Sequence, residues 1–411
     1  MNLALRTTPD RHLLNAKLAV TGSKSETNRL LLLQALFPQI SIENISISDD
    51  SIAMTEALSS ESDSVDIHHA GTAMRFLTAY FAIQHGRTVT LTGSARMQER
   101  PIRILVEALR DLGADISYEK NEGFPPLKIT GKKLTQSNVI LDAGVSSQYI
   151  SALLLIAPKL ENGLELTLDG KITSIPYINM TVALLNEIGI DAKFSENVIS
   201  IEPGALNPEP CALTVESDWS SASYFYSIIA LSDMGARITL SSYKENSLQG
   251  DSALSEIYKV FGVETTFDEN SITLTKAKNC QLSIINCQLN HTPDIAQTIA
   301  VTAFGLGIGC ELTGLHTLKI KETDRLEALK TELTKLGAKV SVTDDSLSLE
   351  ASGAIKSGIA IDTYNDHRMA MAFAPLALKT EILINDAEVV SKSFPTFWED
   401  LKALGFVVGN V

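Results

Sequence analysis

Residues 326–342, LEALKTELTKLGAKVSV, change period partway along: an amphipathic helical run ends at Gly337 and an alternating, strand-like run follows. The glycine supplies the left-handed residue that a helix C-terminus needs before the chain turns into a strand. The same succession recurs at residues 105–118 (LVEALRDLGADISY), 181–194 (TVALLNEIGIDAKF), 254–267 (LSEIYKVFGVETTF) and 397–408 (FWEDLKALGFVV). Their glycines, Gly113, Gly189, Gly262, Gly337 and Gly405, are separated by 76, 73, 75 and 68 residues. Residues 27–47, TNRLLLLQALFPQISIENISI, form a looser sixth copy that Pro38 ends in place of a glycine. Six units of about 70 residues fill the chain; each is too large and regular for a solenoid repeat and reads as an α/β subdomain, arranged three and three.

A chain of 411 residues exceeds the size at which one core stops growing, so at least two domains are expected. The most proline-rich stretch, PGALNPEPC at residues 203–211, separates the third repeat from the fourth. The first twenty residues precede the first repeat and fit two arrangements. They add an edge strand to the first domain, or they cross over to complete the second and leave a two-stranded hinge near Val20 and Val215.

Composition excludes several classes. With 45% hydrophobic and 20% charged residues the chain suits a packed enzyme and not a disordered segment. A net charge of −15 argues against a nucleic-acid partner, which requires a basic face. The N-terminus, MNLALRTTPDRHLL, is too polar for a signal peptide. The longest uncharged apolar stretch, Ile295 to Cys310, is too short to span a bilayer. Four cysteines without CxxC spacing read as reduced thiols of a cytoplasmic protein. His68-His69 is a weak metal candidate, because adjacent strand residues point to opposite faces, and no metal is expected.

The chemistry-bearing stretches share one context. GSKSETNR, HHAGTAMR, VSSQ, ESDWSS, HTPDIAQT and YNDHRMAM each place small or polar residues directly before an apolar helix. Ser25, Thr72, Ser146, Asp218 and Asp366 are the expected caps. Caps need only one side chain, yet these clusters also carry Lys24, Arg29, Arg75 and Arg368, and a cation there opposes the helix dipole. An anion between the cation and the exposed amides resolves the conflict. GSKS is not a nucleotide phosphate loop, since Lys17 stands where the first glycine belongs. Residues 319–325, KIKETDR, put five charges into seven residues at an expected helix start.

In order and at these separations, GSKSETNR, HAGTAMR, RMQERPI, SSQ, SIPY, HTPDIAQT, KETDR and NDHRMAM resemble the 5-enolpyruvylshikimate-3-phosphate synthases, from about Gly22 to Lys392. The resemblance implies an α/β fold of two domains, each of three βαβαββ units forming an inside-out α/β barrel, joined by a double-crossover hinge. The expected domains are 21–215, and 1–20 plus 216–411. It also implies transfer of the carboxyvinyl group of phosphoenolpyruvate to the 5-hydroxyl of shikimate 3-phosphate, the sixth step of the shikimate pathway, in an interdomain cleft that closes on its anionic substrates. Those two small molecules are the expected partners of a cytoplasmic monomer, with no cofactor, nucleic acid or membrane.

Roles follow position by position from the resemblance. Lys24, Ser25 and Arg29 match the loop that touches shikimate 3-phosphate, and Lys24 also reaches phosphoenolpyruvate and counts with Asp294 and Glu322 among the expected catalytic residues. Ser146, Ser147 and Ser174 match donors to the shikimate phosphate, and Tyr177 lies against its ring. Gly71, Arg100, Gln148, Arg325, Arg368 and Lys392 correspond to the phosphoenolpyruvate pocket, where arginines suit planar anions. Asp294 is the base toward the 5-hydroxyl, Lys321 holds that oxygen, and Glu322 protonates and then deprotonates carbon. A carboxyl between cations favours its ionised form, so Glu322 serves as an acid once substrate anions offset Lys321 and Arg325. Lys319 reads as a surface charge and Asp324 as an orienting partner.

Three positions depart from the family pattern. His69 stands where asparagine is usual, Phe76 where proline is frequent, and Thr317 where an asparagine often touches the shikimate side. The bulk of Phe76 and His69 is expected to shift this loop and weaken glyphosate binding. The sister enzyme acting on UDP-N-acetylglucosamine usually carries a cysteine on a loop of its first domain. Here all four cysteines follow residue 210. A non-catalytic anion-binding relative is the other alternative.

Overall fold

The computed structural model describes every residue except 8–13, 143, 145, 171, 173–174 and 204–208. The described chain divides into two compact units, Gly22–Val215 on one side and Met1–Thr21 with Glu216–Val411 on the other. The chain passes between them twice, at Thr21–Gly22 and at Val215–Glu216.

In the unit Gly22–Val215 one pattern builds two four-stranded sheets. Strand Ser64–Asp66 runs parallel to Thr88–Thr92, which pairs antiparallel with Leu127–Thr130, itself antiparallel to Asp115–Tyr118. Asn138–Asp142, Leu164–Asp169, Val198–Ile201 and Ala192–Ser195 repeat that succession. The looser first copy is reduced to a parallel pair, Ile40–Glu43 with Cys211–Thr214. Parallel strands need a crossover connection, and the helices supply it. Helix Gly71–Ala82 is buried along its entire length, and nine of the ten residues of Ser147–Ile156 are buried. A helix apolar on all sides belongs inside a core. Helix Lys24–Leu36 completes this interior.

The unit Met1–Thr21 with Glu216–Val411 repeats the pattern three times. Asn15–Leu18 lies parallel to Arg237–Ser241, followed by Ser271–Lys276 and Val263–Asp268. Ile284–Gln288 lies parallel to Gly309–Thr313, followed by Ser346–Leu349 and Val340–Val342. Ile359–Ile361 lies parallel to Ile382–Ile384, and then Leu3–Thr7 is inserted between Ile382–Ile384 and Phe406–Asn410. The core helices are Trp219–Leu231, Ala296–Gly305 and His367–Phe373.

The five repeat glycines adopt φ between +82° and +105°, the region in which a Cβ is strained. In this sense each copy ends its helix as the sequence pattern implies. Two of the expected caps lie elsewhere. Ser25 and Thr72 fall inside the first turn, because their helices begin at Lys24 and Gly71 with Ser23 and Ala70 as the preceding residues. Ser146, Asp218 and Asp366 do cap, accepting from the amides of Gln148, Ser221 and Arg368. The helix after KIKETDR also begins late. Asp324 caps it by accepting from the amides of Leu326 at 3.1 Å and Glu327 at 3.2 Å, so Lys319, Lys321 and Glu322 precede the helix.

Candidate active site

The core helices of the unit Met1–Thr21 with Glu216–Val411 bring their N-terminal turns together, and with them the residues of three separate motifs. Arg325 is the centre. Its guanidinium is 2% exposed and donates from Nε to Asp366 at 2.6 Å, from Nη1 to Asp294 at 2.9 Å and from Nη2 to Glu322 at 2.8 Å. The planar fork of an arginine carries five N–H donors in fixed directions, so Nε, Nη1 and Nη2 each face a different carboxylate. Arg368 approaches Asp294 twice, with Nη2 3.4 Å from Oδ2 and Nη1 3.2 Å from the backbone carbonyl. Lys321 Nζ lies 3.4 Å from Asp294 Oδ1.

Asp294 is therefore held by three cations. Burial alone would favour its neutral form, but Lys321, Arg368 and Arg325 override it and hold the carboxyl well below the usual carboxylate range. The converse holds for Arg368, where burial is outweighed by Asp294 and other anions that keep the guanidinium charged. Asp294 sits in the turn Pro293–Ile295 that opens the Ala296–Gly305 helix, where a negative charge is also favoured by the helix dipole. Lys392 donates to the Asn365 carbonyl at 2.7 Å, one residue before Asp366. Lys319 pairs with exposed Asp344 at 2.7 Å and is a surface charge. The Thr317 hydroxyl oxygen is buried without a hydrogen-bond partner among the described residues.

A second polar cluster belongs to the unit Gly22–Val215. Lys24 opens its helix and lies 3.5 Å from Asp50, which also accepts from Asn28 at 3.2 Å. Arg29 is buried at 2% exposure with neutral partners: Thr181 Oγ1 at 2.8 Å, the Ser25 carbonyl at 2.7 Å, Ser151 Oγ at 2.8 Å and the Tyr177 carbonyl at 3.4 Å. The rings of Phe76 and Tyr177 lie 5.5 and 5.9 Å from its guanidinium carbon. Burial pulls its pKa down to about 10, as expected for a cation with little counter-charge. Arg75 is brought down to about 10 as well, by burial and then by the charge of Arg100. A pair of poorly compensated buried cations favours any anion that reaches them.

Gly71 has a steric role in the same cluster. A Cβ on Gly71 would stand 2.4 Å from Arg100 Nη1, so the guanidinium rests directly on the glycine. Gln148 reaches Thr72 Oγ1 at 3.3 Å, which joins the two core helices at their first turns. Ser147 is buried and Ser146 exposed. Ser174 lies outside the described residues. Phe76 is fully buried, its bulk taken up by the core beneath Arg29, and His69 lies 3.7 Å from Asp49.

Asp50 and Asp251 carry no expected role in the sequence, and Asp366 only that of a cap. Asp366 caps and neutralises Arg325 together, which one carboxylate with two oxygens can do. The NDHR stretch carried that signal; Asp50 and Asp251 sit in stretches without one.

A family model described as EPSP synthase (3-phosphoshikimate 1-carboxyvinyltransferase) matches residues 57–401. The chain is 46% identical over 398 residues to a 3-phosphoshikimate 1-carboxyvinyltransferase of Bacteroides fragilis, with 96% of each chain covered. To the protein of the same name from Photobacterium damsela subsp. piscicida it is 36% identical, covering 96% of this chain and 97% of that one. A solved EPSP synthase from Acinetobacter baumannii has a TM-score of 0.82 at 23% identity over 100% of both chains. The enolpyruvyl transferase NikO from Streptomyces tendae has a TM-score of 0.76 at 14% identity, covering 100% of this chain and 99% of that one. These two likenesses concern the fold, whereas the family model and the curated relatives concern the lineage: the chain belongs to the EPSP synthase family.

Proposed function

We propose that the carboxylates gathered on Arg325 carry the proton transfers of this family's reaction. The chain is a transferase of the shikimate pathway that moves the carboxyvinyl group of phosphoenolpyruvate to shikimate 3-phosphate and releases phosphate. The reaction proceeds by addition and then elimination. Asp294, kept ionised by three cations, is suited to take the proton of the 5-hydroxyl. Lys321, 3.4 Å from the same carboxylate, is suited to hold the hydroxyl oxygen. Glu322 gives a proton to the methylene carbon, which becomes a methyl group, and takes one back as phosphate leaves. It becomes available for this when a substrate anion takes the Arg325 donor that now holds it at 2.8 Å.

Arg325, Arg368, Lys392, Arg100, Gln148 and Gly71 make up the set for phosphoenolpyruvate; Lys24, Ser25, Arg29, Ser146, Ser147, Ser174 and Tyr177 make up the set for shikimate 3-phosphate. Lys24 serves both substrates. Ser25 lends Arg29 its carbonyl. The single observation that carries the reading is the convergence of Asp294, Glu322 and Lys321 around Arg325, since a protein that only bound anions would have no use for two carboxylates there. The free state of all four cysteines supports a reducing, cytoplasmic setting, and the reading takes the chain as a monomer.

The test is phosphate release from phosphoenolpyruvate with and without shikimate 3-phosphate, for the parent chain and for Asp294→Ala and Glu322→Gln. Release that needs both substrates and collapses in both variants supports the assignment. Binding of both ligands with no release refutes it in favour of a silent relative.

A further inference from the structure

We infer that Asp251 is a positioning residue that fixes the Arg368 guanidinium for phosphoenolpyruvate through the hydroxyl of Ser220. Asp251 lies in the turn Gly250–Ala253 and is 5% exposed. One carboxylate oxygen accepts a hydrogen bond from Ser220 Oγ; the other accepts from Thr292 Oγ1 at 2.5 Å. Ser220 Oγ in turn accepts from Arg368 Nη2 at 3.2 Å. Thr292 stands two residues before Asp294. One buried carboxylate thus tethers both the arginine and the segment carrying the base.

The direction of the hydroxyl proton makes the carboxylate specific. A serine hydroxyl has one proton and two lone pairs. Asp251 is an acceptor on both oxygens, so it takes the proton of Ser220 and leaves a lone pair facing the cation. An amide at position 251 has one acceptor and one donor group. With its oxygen on Thr292 it would donate to Ser220, whose proton would then point at Arg368. Packing alone would be indifferent to that reversal. Burial and then the charge of Asp294 push the Asp251 carboxyl up, while the other charged group facing it, Arg368, and the two hydroxyl donors favour the ionised form.

The inference rests on the reading that Arg368 binds phosphoenolpyruvate. The experiment is steady-state kinetics on the full chain for Asp251→Asn, Ser220→Ala, their double variant and Arg368→Lys. Loss of one hydrogen bond to a charged group corresponds to about a tenfold change. Asp251→Asn and Ser220→Ala should each raise KM for phosphoenolpyruvate about tenfold and leave KM for shikimate 3-phosphate within about twofold. The double variant should be no worse than the worse single one, because both act through one hydroxyl. An equal rise in both KM values would mean general loosening and would overturn the inference, as would multiplying effects or an unchanged KM. If Asp251→Asn does not fold, Ser220→Ala decides by the same criteria. An unchanged KM for phosphoenolpyruvate in Arg368→Lys refutes the reading and the inference together. A raised KM there with none in the other variants refutes the inference alone.

Discussion

Replacing Arg325 by methionine removes a guanidinium that three carboxylates share, and the consequences for the three are unequal. Glu322, 31% exposed, can rehydrate. Asp294 keeps Lys321 and Arg368, each at 3.4 Å. Asp366 is wholly buried and loses its 2.6 Å ion pair, retaining the Arg368 amide at 2.9 Å. Breaking a buried pair by removing one partner costs about 3–5 kcal/mol. In a unit of roughly 200 residues each kcal/mol shifts the melting temperature by about 2–4 °C. Calorimetry should therefore find the transition of this unit lowered by about 6–20 °C. The shift should be the same at about 0.05 and 0.5 M salt, because the pair is shielded from solvent ions. Adding Asp366→Asn should recover about half of the loss, since it removes the stranded charge. A shift under about 2 °C, or a double variant as unstable as the summed singles, would refute the claim that Asp366 depends on Arg325.

Gly71→Ala places a Cβ 2.4 Å from Arg100 Nη1 and forces the guanidinium to move by about 1 Å; displacement on that scale costs up to about 100-fold, so kcat/KM for phosphoenolpyruvate should fall about 10–100-fold while the melting temperature holds. Lys321→Met removes one of the cations that oppose burial at Asp294. Its pKa must rise, and since the base acts as a carboxylate, the acidic limb of the pH–rate profile should move to higher pH; an unmoved limb rules Asp294 out as the group it reports. Asp400 is pushed up to about 6 by burial and, further, by Glu399, against a hydrogen bond from Thr396. Its folded pKa lies above the unfolded value, so its charge destabilises above about pH 6 and the penalty disappears as pH falls toward about 4. Asp400→Asn should raise the melting temperature near pH 8 and leave it unchanged near pH 4. Half-maximal inhibition by glyphosate above the micromolar range is expected from Phe76 and His69; a micromolar value would assign both to packing alone.

The repeat was legible because its signal is local. A change of period at a glycine needs only neighbouring residues, and the left-handed φ of Gly113, Gly189, Gly262, Gly337 and Gly405 is the same fact in backbone terms. Motifs with dense charge were legible for a related reason, since the cations and carboxylates of KETDR stand next to one another in the chain. What sequence could not give was which of two oxygens faces which donor. Asp366 looked like a cap and is a cap, but its pairing with Arg325 spans 41 residues and exists only in the fold. Ser25 and Thr72 have the side chains of caps, yet their helices begin at Lys24 and Gly71, an ambiguity that the identity of one small polar residue among several cannot resolve. Asp251 had no motif around it, and its role depends on two hydroxyls 31 and 41 residues away.

Leu3–Thr7 lies between two strands far along the chain from it: Leu5 pairs with Ile382 on one side and Val408 on the other. During synthesis that strand emerges long before Ile382–Ile384 and Phe406–Asn410 and has to wait for them. At about 5–20 residues per second the delay is of the order of 20–80 s. The segment Gly22–Val215, by contrast, is continuous and has all its partners in hand before the second half is translated. The nascent chain should thus carry a finished unit preceded by a strand whose partners do not yet exist, a state in which holding chaperones have something to hold. Moving residues 1–21 to the C-terminus by circular permutation would remove the wait while leaving every strand pair intact. Yield at high expression, and not final stability, is the property that should respond.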